Sequence, residues 1–104
     1  MQKFREILET LEDSSGVKGI KLFDQDKNLI GSIPNEPGTQ GSIRVYHHLH
    51  KIFGKIDVNA AIEGVKLFSE HVADAENYPG KHPNIDRLFE IIENEMVLTV
   101  KLIR

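Results

Sequence analysis

Five histidines stand out in this sequence of 104 residues, because imidazole side chains bind metal ions and transfer protons near neutral pH. Three of them lie close together in His47-His48-Leu49-His50. On a helix, His47 and His50 share one face because they are three residues apart. A structural zinc site takes four protein ligands and a catalytic site takes three. The metal hypothesis therefore uses four histidines: His47, His50, His71 and His82.

The carboxylates of Glu70 and Asp74 would complete such a zinc site if they converged on the histidines. The alternative is a solvated or interhelical polar stripe in which histidines face acidic neighbours, and we therefore predict no cofactor. Convergence of the histidines with acidic side chains in one cleft would instead favour a small metal-binding protein or an enzyme.

A glycine-rich segment that leads into a helical pattern gives a second candidate site. A glycine turn before a helix N-terminus presents free backbone N–H groups and partial positive charge, which suit an anion. The segment matches neither the Walker phosphate loop nor the dinucleotide fingerprint, so an ordinary loop and helix cap is the alternative. The candidate anion-binding residues are Gly38, Thr39, Gly41, Ser42 and Arg44.

The loop at residues 78–87 is the third candidate, because it combines rigid prolines with ionisable side chains. His82 could act as a general acid or base there. Helix initiation, with Asn84 as the cap, is the alternative. No residue spacing identifies a nucleophile–base pair, so catalytic residues stay unassigned. The residues of interest are Tyr78, Lys81, His82, Asn84, Asp86 and Arg87.

Composition excludes several classes of function. The chain has no cysteine, so it has no disulfide framework and no thiolate nucleophile. Its net charge is −3, from 13 basic and 16 acidic side chains, whereas nucleic-acid binding needs a concentrated basic face. The sequence contains no apolar run of about 18 residues, so it predicts no membrane span. Residues 1–5 begin an amphipathic pattern rather than a signal peptide. We expect a cytoplasmic protein without nucleic-acid or membrane partners.

Hydrophobic periodicity predicts the elements that must position these residues. Residues 2–13 fit an amphipathic helix, and residues 17–23 and 29–33 fit the two strands of a β-hairpin. Ser42 is the predicted cap of a helix that extends to about residue 53, although residues 43–46 also fit the start of a strand.

The second half of the chain is predicted to be mostly helical. Asp57 is the predicted cap of one continuous helix over residues 58–76, and a last helix covers residues 83–93. Residues 96–103 fit a buried strand. The predicted class is α+β, in the order α-β-β-α-α-α-β, with a small three-stranded sheet covered by helices in a single domain, residues 1–104.

The C-terminal strand leads to a prediction about partners. If the strand order is second-first-third, residues 96–103 form an edge that is apolar on both faces, and such an edge tends to pair with another chain. We predict a homodimer through these residues or the adjoining helix face. The predicted function is a non-enzymatic protein-interaction or small-ligand-binding domain. A metal-binding protein or enzyme built from the histidine-bearing helix and the 78–87 loop is the alternative.

Two family resemblances extend these predictions. The helical stretch Phe4–Leu11, followed by Gly16-Val17-Lys18-Gly19 and Leu22-Phe23-Asp24, resembles the opening of roadblock-type dimerisation domains. The segments at residues 41–46, 63–71 and 78–88 resemble a small bacterial family with no assigned function. The second resemblance spans most of the chain, and it implies a bacterial cytosolic protein without bringing an activity.

Overall fold

The computed structural model describes residues 2–104, which form five helices and three strands. The predicted α+β class and element order are confirmed, except that one predicted helix is two. The elements are α1 (Phe4–Thr10), β1 (Gly19–Phe23), β2 (Leu29–Pro34), α2 (Gln40–Phe53), α3 (Val58–Phe68), α4 (His71–Asn77), α5 (Pro83–Asn94) and β3 (Thr99–Ile103).

The three strands form an antiparallel sheet in the order β2-β1-β3, so β1 is central. Because side chains alternate between the two faces of a strand, Ile20 and Leu22 lie on one face with Ile33 and Val100, all of them buried. The other face is open to solvent and carries exposed Lys21. The sheet therefore has one face in the core and one face free.

Helices α2, α3 and α5 form the layer behind the buried face of the sheet. Helix α2 contacts β1 and β2, while α3 packs against both α2 and α5. A Cβ atom added to Gly64 in α3 would lie 2.9 Å from a methyl of Leu49 in α2 and 2.9 Å from a methyl of Leu88 in α5. The absence of a side chain at Gly64 therefore lets three helices meet closely.

The prediction of a single helix over residues 58–76 is wrong. Helix α3 ends at Phe68, and Ser69 has φ of +51°, which is outside the helical region. The Ser69 hydroxyl donates a hydrogen bond to the Gln2 carbonyl, and the Glu70 carboxylate accepts one from the Phe4 N–H at 2.6 Å. Contacts with the start of α1 thus accompany the break between α3 and α4.

Helix boundaries correct two predicted caps and confirm one. Thr39, not Ser42, precedes α2, and its hydroxyl donates a hydrogen bond to the Pro34 carbonyl instead of capping the helix. His82, not Asn84, precedes α5, because Pro83 occupies the first helical position, where a missing N–H costs nothing. Asp57 caps α3 as predicted, and its carboxylate accepts the Ala60 N–H at 2.9 Å.

The C-terminal strand is shorter than the predicted 96–103. Strand β3 begins at Thr99, and Leu98 just before it pairs with Ile56 in an isolated antiparallel bridge. The two residues exchange both backbone hydrogen bonds at 2.9 Å. In the part of the chain that the structure describes, no helix is long and apolar enough to cross a membrane.

Replacing Gly64 with valine should lower the free energy of unfolding by at least about 2 kcal/mol, because the added methyls overlap Leu49 and Leu88 in a close-packed core. Urea denaturation measures this loss. Lys66→Val places the same residue at an exposed position of α3 and should cost less than about 1 kcal/mol. Equal stability of Gly64→Val and the unmodified chain would contradict the close approach.

Candidate functional site

An open cleft of about 360 Å³ lies where the first residues of α2 and α5 meet the start of α4. We call it the helix-end cleft. On the α2 side it is lined by Gly38, Thr39, Gly41 and Ser42, which are four of the five predicted anion-binding residues. In the structure, this segment borders a concave surface.

The opposite side of the helix-end cleft carries the ionisable groups. His71 from α4 and Lys81 and His82 from the loop before α5 line it, together with Asn84. The two imidazole rings have centroids 5.8 Å apart. Residues from the first and third predicted sites therefore share one cleft with the glycine-rich segment, although 29 to 46 positions separate them from it in the sequence.

Asp74 in α4 holds two of these ionisable side chains in place. Its Oδ2 lies 2.6 Å from His82 Nε2 and 2.9 Å from Lys81 Nζ. These contacts, the one with His82 first, hold the pKa of the Asp74 carboxyl below its ordinary value. Asp74 is therefore a charged anchor behind the cleft, and it does not line the cleft itself.

An apolar wall completes the helix-end cleft. It consists of Phe4 from α1, Phe68 from the end of α3 and Ile85 from α5. The two aromatic rings are stacked with centroids 5.3 Å apart, and the Phe4 ring also meets the His71 ring edge-on at 5.0 Å. The cleft therefore has a polar, cationic side and an aromatic side.

The N-terminal backbone of both helices is available to a ligand. Neither Thr39 nor His82 caps its helix through its side chain. Among the backbone hydrogen bonds of residues 2–104, no acceptor is found for the N–H groups of Gly41, Ser42 and Asn84. Unpaired N–H groups at a helix start carry partial positive charge.

Arg44, the fifth predicted anion-binding residue, does not join the cleft. Its guanidinium donates to the Leu11 carbonyl at 2.7 Å and to the Glu12 carbonyl at 3.3 Å. These carbonyls follow the end of α1, where a cation is favourable for the helix dipole. Arg44 therefore secures the end of α1 and lies outside the lining of the helix-end cleft.

Three residues of the 78–87 loop also lie outside the cleft lining. Tyr78 is exposed, with the Lys81 ammonium 5.3 Å from its ring centroid. Asp86 accepts the Gly80 N–H at 2.9 Å, which closes the loop before α5. Arg87 donates to Asn84 Oδ1 at 3.0 Å and to Tyr46 Oη at 3.2 Å.

Tyr46 connects the core to the start of α5. Its hydroxyl donates to the Asn84 carbonyl at 2.5 Å, and burial raises its pKa to about 12, so the hydroxyl stays protonated at physiological pH. Together, Tyr46 and Arg87 fix Asn84, which lines the cleft. One side of the helix-end cleft is therefore built on the buried core.

The histidines of the zinc hypothesis are divided between different surroundings. His71 and His82 share the helix-end cleft, whereas His47 is buried against Ser14, and the Nδ1 atom of His50 is enclosed without a hydrogen-bond partner. Across residues 2–104, no group of three or more histidine, aspartate and glutamate side chains is placed to hold a metal ion.

The contact between Ser14 and His47 was missed by sequence reasoning. Ser14 Oγ lies 2.8 Å from His47 Nδ1, and the two residues are 4% and 8% exposed. Burial, more than the positive charges of Arg104 and Lys51, lowers the pKa of His47 below its ordinary value of 6.5. A neutral, hydrogen-bonded imidazole in this position joins α2 to the segment after α1.

A comparison with known protein families gives a match over most of the chain. A family model described as "Uncharacterized protein conserved in bacteria (DUF2322)" matches residues 4–102. This match confirms the predicted resemblance to a bacterial family without assigned function, whereas the roadblock resemblance is not confirmed. No curated protein and no solved structure matches the chain.

The stability of the fold should fall as pH drops below about 6.5, because the unfolded chain then protonates His47 while the folded chain still resists it. The stabilising contribution of neutral His47 is present at pH values above the ordinary pKa of histidine. It is lost as the pH falls towards the lower pKa that His47 has in the folded chain. His47→Gln removes it and should flatten the dependence by up to about 1.4 kcal/mol per pH unit in that interval.

Urea denaturation of the unmodified chain and of His47→Gln at pH 5.0, 6.0 and 7.5 measures this difference, since the carboxylates contribute equally to both. His48→Gln changes the next residue of α2 and should keep the slope of the unmodified chain. The same slope in His47→Gln and the unmodified chain would contradict the role of burial.

Proposed function

We propose that this chain, which belongs to the uncharacterized bacterial family whose model matches residues 4–102, binds a small organic anion in the helix-end cleft. The carboxylate or phosphate of the ligand lies between Lys81, His82 and the Ser42 hydroxyl. Its apolar part contacts Phe4 and Phe68. The function is therefore binding of a small ligand.

The observation that carries this proposal is the charge of the cleft lining. The chain has a net charge of −3 and 16 acidic residues, yet the ionisable side chains in the lining are His71, Lys81 and His82, all of which are neutral or cationic. Two helix starts add partial positive charge on either side of them. A cleft of this composition attracts an anion in an otherwise acidic protein.

The shape of the helix-end cleft narrows the ligand class. A volume of about 360 Å³ is at the lower end of ligand pockets, which suits a molecule with one ring or a short chain. The partly exposed Phe4 ring, backed by the buried Phe68 and Ile85, gives such a molecule an apolar surface. An inorganic anion would make no apolar contact with this wall, so an amphipathic organic anion fits the cleft better.

Asp74 supports this function by fixing the cationic side chains before a ligand arrives. A lysine loses conformational entropy when it binds, and an existing contact with Asp74 Oδ2 reduces that loss. The same contact partly neutralises Lys81, so the affinity for one singly charged ligand is modest. A dianionic phosphate ester gains more from this site than a carboxylate does.

The Asp74–His82 hydrogen bond favours a second candidate function, general acid–base catalysis on the bound anion. A carboxylate bonded to one ring nitrogen fixes the tautomer and the orientation of an imidazole. Release of phenol from phenyl phosphate by the unmodified chain, and its loss in His82→Gln, would establish this activity. Binding without release leaves ligand binding as the function.

Phenyl phosphate and benzoate should bind in the helix-end cleft, whereas benzylamine, with a similar ring and the opposite charge, should not. Titrations followed by amide NMR shifts measure the affinity and locate the site at residues 38–42 and 81–85. Lys81→Gln should weaken phenyl phosphate binding by about three- to tenfold, because it removes the exposed ammonium that is proposed to pair with the phosphate.

Lys55→Gln removes an exposed lysine that does not line the cleft and should leave the affinity unchanged. Retained amide spectra show that both variants are folded. Equal binding of benzylamine, or anion-induced shifts confined to other residues, would overturn the proposed function.

A further inference from the structure

We propose that the free edge of β3 binds an extended, acidic segment of a partner protein as a fourth strand of the sheet. This inference depends on the sheet and on none of the residues that line the helix-end cleft. It assigns an occupant to the protein-interaction surface that the sequence predicts at residues 96–103.

Backbone groups on the outer side of β3 are available for pairing. Leu98 exchanges both backbone hydrogen bonds with Ile56, on the side away from β1. Because backbone groups alternate in direction along a strand, Val100 and Leu102 direct their N–H and C=O groups to that same side. Within residues 2–104, β3 pairs only with β1, so these groups have no strand partner.

Two lysines on the open face of the sheet set the charge of the partner. Lys21 of β1 lies directly opposite Lys101 of β3, and both are exposed. Like charges in directly opposed positions destabilise an antiparallel pair. A carboxylate placed next to Lys101 would offset this repulsion, and the sheet itself supplies none, since no strand contains aspartate or glutamate.

The register defines the sequence pattern of the partner. A strand added at β3 would place one residue opposite Lys101 on the open face, in line with Ser32, Lys21 and Lys101. Its two neighbours would lie opposite Val100 and Leu102, on the side of the core. The matching segment is therefore an apolar residue, an acidic residue and an apolar residue in an extended conformation.

A second copy of this chain would pair with the free edge of β3 less favourably than an acidic segment would. Antiparallel self-pairing centred on Lys101 would place Lys101 opposite its own copy and align four lysines across the sheet. In pairing centred on Val100, Leu102 of the second copy would have to pair with Leu98, but Leu98 already pairs with Ile56. Pairing centred on Leu102 would avoid both obstacles, but it would bring no carboxylate to Lys101, so charge favours an acidic partner.

Nucleic acid also fits the open face poorly. Two lysines neutralise about two phosphates, which supplies little of the electrostatic affinity on which nucleic-acid binding depends. The open face also lacks an array of exposed aromatic rings for base stacking: of its strand residues only Phe23 is aromatic, and it is half-buried. Backbone pairing with an acidic peptide uses both the edge and the charge.

The test uses three blocked peptides, Thr-Val-Glu-Val-Thr and its analogues with lysine or glutamine in place of glutamate. The glutamate peptide should bind about tenfold more tightly than the lysine peptide, with amide shifts at residues 98–103 and slowed hydrogen exchange at Val100 and Leu102. Lys101→Glu should reverse the order, so that the lysine peptide binds more tightly. We expect this variant to fold, because Glu would then lie opposite Lys21.

Lys66→Glu makes the same charge change at an exposed position of α3 and should keep the original order. The proposal is overturned if Lys101→Glu does not reverse the order or if the peptides shift residues of the helix-end cleft instead. It is equally overturned if the chain alone is a dimer at 100 μM with Val100 and Leu102 already protected. Tighter binding of an oligothymidylate at the same edge would also overturn it.

Discussion

The position of the Phe4 ring is the constraint on which the helix-end cleft depends. The ring stacks on Phe68, meets His71 edge-on and occupies the space beside Gly41, where an added Cβ would lie 2.8 Å from it. Four helices thus meet at one side chain. Helix α1 has only seven residues and would not be stable alone, so this packing and the hydrogen bond that the Phe4 N–H donates to the Glu70 carboxylate hold it in place.

The fold could be predicted wherever local pattern and tertiary packing agree. The β-hairpin and the cap at Asp57 follow from alternation, turn residues and helix-start preferences, whereas the strand order β2-β1-β3 could only be assumed from the sequence. The break at Ser69 could not be predicted, because the apolar spacing of a helix continues past it. The contacts that accompany the break come from Gln2 and Phe4, more than 60 positions away, and no local pattern records them.

The candidate site was predicted in pieces but not as a whole. Glycines before a helix and a histidine–lysine loop are visible locally, whereas their meeting depends on α3, which packs against both α2 and α5. The same limit explains Arg44, whose sequence position suits an anion but whose guanidinium reaches the end of α1. It also explains Ser14 and His47, which lie 33 positions apart and share no motif. Residue types show which side chains could take part in a binding site, and tertiary packing determines which of them lie close together.

The bridge between Ile56 and Leu98 has a consequence for aggregation. Amyloid-like stacking requires an exposed segment of about six or seven residues with strong β-propensity, and residues 96–103 have that composition. The bridge covers the beginning of this stretch, which leaves only the outward groups of Val100 and Leu102 open to a fibril template. The two hydrogen bonds of this bridge thus limit the length of the unpaired edge. The edge that remains can pair with a short peptide strand but is too short to template a fibril.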